Sequence, residues 1–195
     1  MKGLFDFLDK AGNLKSTLRY TTLKDGRKES SAEHTWRLAL MVMTAGKGIN
    51  IDKAIRMALV HDLAEAITGD IDYARMVSGE VSKKEKHESE ERAIKKIVKS
   101  LDIKNAKEIY KLWEEYEKGK TKEAKALKAL DKLETLLQLA ESGYKAYTGK
   151  PELIPNYADE AVNNFPELKD MLKEIKIKLK KEFKKGGIPW KKEYN

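Results

Sequence analysis

The sequence predicts an all-α fold, and three observations support this prediction. Apolar residues recur at intervals of three and four, the spacing of a helix face, along most of the 195 residues. The chain has only four prolines, and the stretch from 27 to 150 contains none, so no strong helix breaker interrupts it. No segment alternates as a strand does, and no internal repeat is visible. The length fits one domain of ordinary size, so we expect a single helical bundle over residues 1–195.

The first elements are expected to be short. The apolar pattern predicts a helix over about 2–10 and a second short helix over about 13–19. A loop should follow over residues 21–30, because Asp25-Gly26 within it is a turn signal. The chain is thus expected to reach its first long helix only after this loop.

The first long helix carries a clear start signal. Ser30 and Glu33 stand three residues apart and match a capping box, so a helix is predicted from there to about Lys47. His34 lies four residues before Leu38 and should therefore share the inward face of this helix.

The next helix is predicted over about 53–67, with Asp52 as its N-cap and Gly69 as its end. Asp62 follows the apolar positions at spacings of three and four, so it should point inward. The positions expected on the buried side are Ile55, Ala58, Leu59, Leu63 and Ala66. A loop or short helical turn is expected from Asp70 to Gly79.

The remaining sequence predicts four more helices. Residues 149–165 look irregular or only partly helical, and the last helix should end at Gly186-Gly187. The tail that follows is expected to be either docked by Trp190 or frayed. The four helices are predicted over about 82–100, 104–118, 121–147 and 166–185.

Composition narrows the function classes. The chain has no cysteine, which excludes disulfides and thiolate metal sites. The net charge of +8 arises largely from the Lys-rich segment 169–192, and no Arg cluster is interleaved with aromatic residues, so nucleic-acid binding is disfavoured as a main role. Neither a signal-peptide pattern nor an apolar run of membrane-spanning length is visible, so we expect a cytoplasmic protein without a membrane partner.

Polar side chains that are costly to bury occur in apolar helical contexts. A single buried histidine is usually satisfied in a core, and a single buried aspartate usually pairs with an arginine or a helix N-terminus. Several such residues from three helices instead favour one bound divalent cation, which satisfies imidazole and carboxylate together. Mn, Fe, Co, Ni and Zn all suit this ligand set. The residues are His34, His61, Asp62 and Asp131.

Three further residues are candidates for chemistry near such an ion. Glu65 follows His61 by four residues and so lies over the same helix face, where a carboxylate could orient water or move its proton. Its alternative is a surface salt bridge, for example with Arg56. Asp70 could assist Glu65 or be a simple turn residue after the helix. Arg19 could bind an anion through its planar guanidinium or be a surface charge.

These residues resemble a known family. The order H…HD…D resembles the HD-domain superfamily of metal-dependent phosphohydrolases. The strings SSAEHTWRLAL and HDLAEAITGDI, with LRY before them, are similar to the YfbR-like 5′-deoxynucleotidase branch. The similarity covers about residues 13–145, which would form the metal-site core, with C-terminal helices and a Lys-rich tail over 150–195.

The resemblance implies a role for each candidate residue. Glu65 would activate or orient the attacking water, and Asp70 would help to hold solvent and substrate. Arg19 would contact the substrate phosphate, while Tyr20 stands where bacterial members carry tryptophan beside the sugar. The implied metal ligands are His34, His61, Asp62 and Asp131.

The resemblance also implies a fold and a reaction. The fold would be an all-α bundle of the HD-domain type, commonly a homodimer. The reaction would be hydrolysis of a nucleoside 5′-monophosphate to nucleoside and phosphate, supported by one divalent ion such as Co or Mn, or by Ni, Fe, Zn or Mg. Two alternatives remain: another nucleotide phosphoester (a cyclic nucleotide, a nucleoside triphosphate or (p)ppGpp), or a non-catalytic metal-stabilised protein that binds a polyanion.

Overall fold

A computed structural model describes residues 1–71, 73–147 and 150–195, and it confirms the all-α prediction. Asp72, within the predicted loop from 70 to 79, lies outside the described residues. The helices are α1 (Lys2–Gly12), α2 (Ser31–Ala45), α3 (Ile51–Val60), α4 (Glu65–Thr68), α5 (Tyr73–Val77), α6 (Lys83–Val98), α7 (Ile103–Lys118), α8 (Lys122–Ser142), α9 (Asp159–Asn163) and α10 (Lys169–Lys185). Short 3₁₀ turns lie at Asn13–Lys15, Tyr144–Ala146, Pro151–Leu153, Pro166–Leu168 and Lys192–Tyr194. No described helix has the length and apolar character needed to cross a bilayer.

A β-hairpin replaces most of the predicted second helix. Only Asn13–Lys15 is helical there; strand β1 (Leu18–Thr22) then pairs antiparallel with β2 (Lys28–Ser30). Gly26 adopts a positive φ of 88° at the turn, and Asp25 accepts a hydrogen bond from the backbone of Arg27. The prediction of a helix over 13–19 was therefore wrong beyond residue 15. The strand buries alternate side chains, including that of Arg19, which helical spacing would not do.

The capping box of α2 is confirmed. The Ser30 hydroxyl accepts from the backbone N–H of Glu33, and the Glu33 carboxylate accepts from the backbone N–H of Ser30. Arg27 also donates to this carboxylate, at 2.5 Å and 3.0 Å. Those bonds, first from Arg27 and then from Ser30, lower the pKa of Glu33 to about 2 although slight burial opposes them.

This lowered pKa predicts a pH-dependent contribution to stability. Because the folded pKa of Glu33 lies below its usual value, the contribution is present above pH ~4.5 and is lost as the pH falls towards 2. At pH 7 we expect Glu33→Gln to lower the free energy of unfolding by about 0.5–1 kcal/mol. Urea denaturation at several pH values measures the difference. It should shrink in acid, and the exposed control Glu88→Gln should show no such trend; a difference independent of pH would contradict the assignment.

The second ligand helix is shorter than predicted. Asn50, not Asp52, caps α3, because its side chain accepts from the backbone N–H of Lys53, and the helix starts two residues earlier than predicted. Leu59 is 54% exposed, so its predicted burial was wrong. Residues 61–64 form tight turns between α3 and α4 instead of continuing one helix to 67.

Helix α8 is the centre of the core. Its leucines at 127, 130, 133 and 136 are fully buried between α2, α3 and α10. A second cluster joins α4, α6 and α7 around Ile94, Ile97 and Trp113. Helix α8 ends at Gly143, where φ is 78°, and not at about 147 as predicted. The C-terminal tail is docked: Trp190 packs edge-on against Phe183 and Tyr194, at ring distances of 5.3 Å and 5.5 Å.

Candidate metal centre

Three elements that are distant in sequence bring predicted ligands to one place. His34 comes from α2, His61 from the residue after α3, and Asp131 from the middle of α8. One ligand atom of each lies within 4.8 Å of the others. The closest pair is His34 Nε2 and Asp131 Oδ1, 3.1 Å apart. Each helix buries an apolar face in the same core, so the inward polar residue on each face meets the others.

Asp62 joins this group through the turn that follows α3. Its Oδ2 atom lies 3.1 Å from His61 Nε2 and 3.8 Å from His34 Nε2. The backbone N–H groups of Leu63 and Glu65 bond three residues back, to Val60 and Asp62, so the chain tightens here. This tightening lets two consecutive residues face one point, whereas an uninterrupted α-helix would separate them by about 100°.

The Nε2 atoms of both imidazoles face the cluster. The Nδ1 atom of His61 lies 2.7 Å from the Ala58 carbonyl oxygen, and that of His34 lies 2.5 Å from Glu134 Oε2. A neutral ring with these neighbours carries its proton on Nδ1 and its lone pair on Nε2. Both Nε2 atoms are buried without a hydrogen-bond partner among the described residues. Two buried lone pairs beside two carboxylates are a donor set that fits a divalent cation.

The electrostatics of the cluster favour a positive charge at this point. Burial and the Arg19 charge both act to lower the pKa of His34, yet Glu134 and Asp131 raise it to about 10. Burial would raise the pKa of Asp62 and of Asp131, but the histidines and Arg19 hold both well below their usual range. The carboxylates are therefore ionised, and a proton on His34 would compete with a cation for Nε2.

Asp131 is held from its far side. Its Oδ2 atom accepts a hydrogen bond of 2.9 Å from the hydroxyl of Tyr116 on α7. The Tyr116 ring also packs edge-on against His61 at 5.2 Å. One tyrosine therefore contacts two of the predicted ligands and fixes their relative orientation.

Glu65 lies beside the cluster and is buried, so it is not a surface salt-bridge residue. It is only 5% exposed, and its Oε2 accepts from the Ser31 hydroxyl at 2.8 Å. Arg56 pairs with Glu108 instead. Burial raises the pKa of Glu65 well above its usual value, and the charges of Asp62 and Asp70 raise it further. Such a carboxyl can take up a proton nearer neutral pH than a surface glutamate.

Asp70 is partly buried directly after Gly69, whose φ of 75° turns the chain at the end of α4. Burial raises the pKa of Asp70, Arg19 acts against this, and Asp62 adds to it. The charges of the ligand group thus act on Asp70, which distinguishes it from a solvated turn residue.

Arg19 reaches the same group from the hairpin. Its guanidinium lies 3.4 Å from Asp62 Oδ2, donates to Thr135 Oγ1 at 3.1 Å, and lies 3.5 Å from Glu29. The side chain is 8% exposed, so it is not the surface charge that was considered as its alternative. Burial lowers its pKa, but the carboxylates, Asp62 foremost, raise it well above the usual value. Tyr20 follows on the opposite side of the strand, half-buried against the core.

Sequence reasoning missed several residues that support the cluster. Glu134 is fully buried, contacts His34 Nδ1, and is held by Arg37 Nε at 2.6 Å. Its signal was present, because it lies one turn after Asp131 in a leucine-rich helix. Glu29 and Thr135 carry no comparable signal; they matter only because the hairpin packs on α8.

Comparisons with known proteins agree with this geometry. The family model of the HD domain matches residues 11–156. Mouse 5′-deoxynucleotidase HDDC2 is 41% identical over 104 residues, covering 51% of this chain and 49% of the relative. Fission-yeast 5′-deoxynucleotidase hdd1 is 38% identical over 98 residues, covering 49% and 48%. The chain thus spans about half the length of the curated relatives it matches.

Solved structures match over more of the chain. A crystal structure from Magnetospirillum magnetotacticum, described as a predicted metal-dependent phosphohydrolase, has a TM-score of 0.78 and 27% identity, and the match covers 97% of this chain and 95% of that one. A conserved hypothetical protein from Pyrococcus furiosus has a TM-score of 0.62 and 25% identity, over 87% and 99%. Because the family model covers most of the sequence and the helices superpose on these folds, the chain belongs to the HD domain family.

Proposed function

We propose that this chain is a divalent-metal-dependent phosphohydrolase that releases phosphate from nucleoside 5′-monophosphates, with the substrate class of a 5′-deoxynucleotidase. The observation that carries the proposal is the pair of buried, unpartnered Nε2 atoms that face Asp62 and Asp131. The names of the HDDC2 and hdd1 relatives support the substrate class.

The proposed metal ligands are His34, His61, Asp62 and Asp131. When bound there, a divalent ion such as Co or Mn, or Ni, Fe, Zn or Mg, would supply Lewis acidity next to the phosphoryl group. Glu134 and the Ala58 carbonyl would keep both imidazoles in the orientation that ligation needs.

The other proposed site residues accept a proton, orient the reactants or bind the substrate. Glu65 accepts a proton from the attacking water, which suits a buried carboxylate with a raised pKa. Asp70 helps to orient that water and the substrate. Arg19 offsets negative charge on the phosphate, and the Tyr20 side chain contacts the sugar of the substrate. As the water oxygen bonds to phosphorus, the bond from phosphorus to the 5′-oxygen breaks, and the proton that Glu65 took from the water is returned to the 5′-oxygen, so the nucleoside leaves as an alcohol.

The experiment that tests the function is metal reconstitution. Protein stripped of metal should release no phosphate from dAMP, dGMP or dTMP, and addition of Co²⁺ or Mn²⁺ should restore release by at least about 100-fold. Colorimetric phosphate measurement provides the readout, with cyclic nucleotides, nucleoside triphosphates and (p)ppGpp in the same panel. Turnover of one of those alone would replace the substrate class, and no turnover of any substrate with any divalent ion would overturn the enzyme proposal.

We also propose that residues 1–195 form one HD domain. Helix α10 supports this, because Leu179 and Phe183 are fully buried in the same core cluster as α8. The Lys-rich segment would then be an integral outer layer of the domain and not a separate arm for a polyanion.

A cytoplasmic homodimer is proposed as the working form. Trp36, Leu40 and Met43 support association, because they lie at helical spacing on α2 and are 64%, 41% and 60% exposed. Light scattering at micromolar concentration would measure the mass, and a mass of one chain would contradict the dimer.

A further inference from the structure

Beside the candidate metal centre lies a cluster of two tyrosines and a lysine that the hydrolytic mechanism does not use. Lys132 follows Asp131 directly on α8, Tyr157 precedes α9, and Tyr73 begins α5 three residues after Asp70. The Tyr73 and Tyr157 rings meet edge-on at 4.9 Å, and Lys132 Nζ lies 4.0 Å from the Tyr157 ring centre and 5.5 Å from that of Tyr73. We name Tyr73, Tyr157 and Lys132 the tyrosine–lysine cluster.

Among the residues that the structure describes, the Lys132 ammonium group contacts two tyrosine rings. Its side chain is only partly exposed, yet its Nζ atom forms no hydrogen bond or ion pair within residues 1–71, 73–147 and 150–195. Lys86 and Lys176 pair with Glu90 and Asp159, whereas Lys132 resembles Lys128, whose Nζ lies 4.0 Å from the Tyr116 ring centre. The tyrosine rings attract the charge but leave all three N–H donors open. These donors are available to an acceptor on a ligand.

Tyr73 and Tyr157 form an aromatic surface against which a planar ring can stack. Tyr73 is 38% exposed, so part of its ring is open to solvent. Tyr157 is half-buried and packs edge-on against the Tyr73 ring, which restricts the orientation of that ring. Burial raises the pKa of the Tyr157 hydroxyl, and so does the charge of Asp131, as expected if this hydroxyl lies near the ligand group. The cluster therefore extends from the metal centre outward to solvent.

We propose that the tyrosine–lysine cluster binds the nucleobase of the substrate, with the Tyr73 ring stacking on the base and Lys132 donating to a carbonyl oxygen or ring nitrogen. This inference rests on the proposed function, because it assumes a phosphate held at the metal centre. A nucleobase is the part of a nucleoside monophosphate that offers both a π face and in-plane acceptors. A lysine with rotatable donors would serve several bases, so the cluster predicts base binding with little preference among bases.

The test compares two phosphate esters that differ only in the base. Wild-type protein, Tyr73→Ala and Lys132→Met are assayed on dAMP and on 2-deoxyribose 5-phosphate. We expect each variant to raise KM for dAMP about 10-fold, in line with about 1–3 kcal/mol for one base–aromatic contact, and to leave the kinetics of deoxyribose 5-phosphate unchanged. Tyr73→Phe retains the ring and should retain the wild-type KM. Lys125→Met, an exposed lysine two turns earlier on α8, is the matched control.

The outcomes separate this inference from the function it rests on. If a variant raises KM equally for both esters, Lys132 or Tyr73 acts on the phosphate or the fold, and the base subsite is wrong. Unchanged KM for dAMP in both variants also overturns it. If wild-type protein hydrolyses neither ester, the proposed function has failed; saturation-transfer NMR with deoxyadenosine then decides the subsite. Loss of the signal in Tyr73→Ala would support it, and a signal equal to that of wild type would refute it.

Discussion

Replacement of Glu65 by glutamine is expected to lower kcat for phosphate release by about 10³-fold while bound metal stays at the wild-type level. General acid–base catalysis by one positioned side chain contributes roughly 10²–10⁴-fold, and glutamine cannot accept the proton. Glutamine keeps the volume and can still accept from the Ser31 hydroxyl, so the packing should survive. The measurements are steady-state kinetics on a nucleoside monophosphate and metal content by mass spectrometry.

Two further variants make the Glu65 result interpretable. Glu65→Ala should show the same loss of turnover with metal retained, although the removed side chain leaves a cavity. Glu88→Gln, on the exposed side of α6, should behave as wild type. Turnover within a factor of two of wild type in Glu65→Gln would rule out the proton-accepting role of Glu65.

Replacement of Asp131 by asparagine is expected to weaken metal binding by more than about 100-fold and to abolish measurable turnover at micromolar metal. Even changes in groups that only orient a ligand cost about 10–100-fold in metal affinity, so loss of a ligand charge should cost more. Asparagine preserves the shape and an acceptor for the Tyr116 hydroxyl. Titration calorimetry of the metal-free protein measures the affinity directly, independently of activity.

Thermal unfolding provides a second measurement of metal binding by wild-type protein and by Asp131→Asn. A ligand present at 100 times its dissociation constant stabilises the folded state by about 2.7 kcal/mol, so metal should raise the Tm of wild-type protein. It should not raise that of Asp131→Asn, while the exposed control Asp52→Asn should respond as wild type does. An equal rise in Tm for Asp131→Asn and wild type would show that the ion binds elsewhere.

Local patterns were sufficient for the start of α2 and for the inward placement of His34 and Asp131. The capping box at Ser30 and Glu33 marks the start of α2, and three-four spacing places His34 on its buried face. The same spacing places Asp131 among the leucines of α8. These predictions hold because a helix face is set by residues within one or two turns, so the sequence window contains the information.

Three predictions about α3 were wrong: its N-cap, the burial of Leu59 and its C-terminal end. Asn50 and Asp52 are both good N-caps, and the pattern alone did not decide between them. Leu59 lies roughly opposite the buried residues Ala54 and Met57 on α3, so the predicted apolar face was displaced around the helix. The end of α3 after Val60 was also missed, because no glycine or proline marks the turn, and Ala66 after it packs in the cluster with Ile94 and Ile97 of α6.

The sequence by itself determined the all-α class, the inward faces of the long helices, and the polar residues on those faces. Only the tertiary structure decided which distant groups meet there: Arg19 with Asp62 and Thr135, and Glu134 with His34. Besides its pairing with β2, the strand that carries Arg19 has contacts more than 40 residues away in sequence, with Asp62 and Thr135. Such contacts have no local signature, because their free energy arises only when the helices have packed.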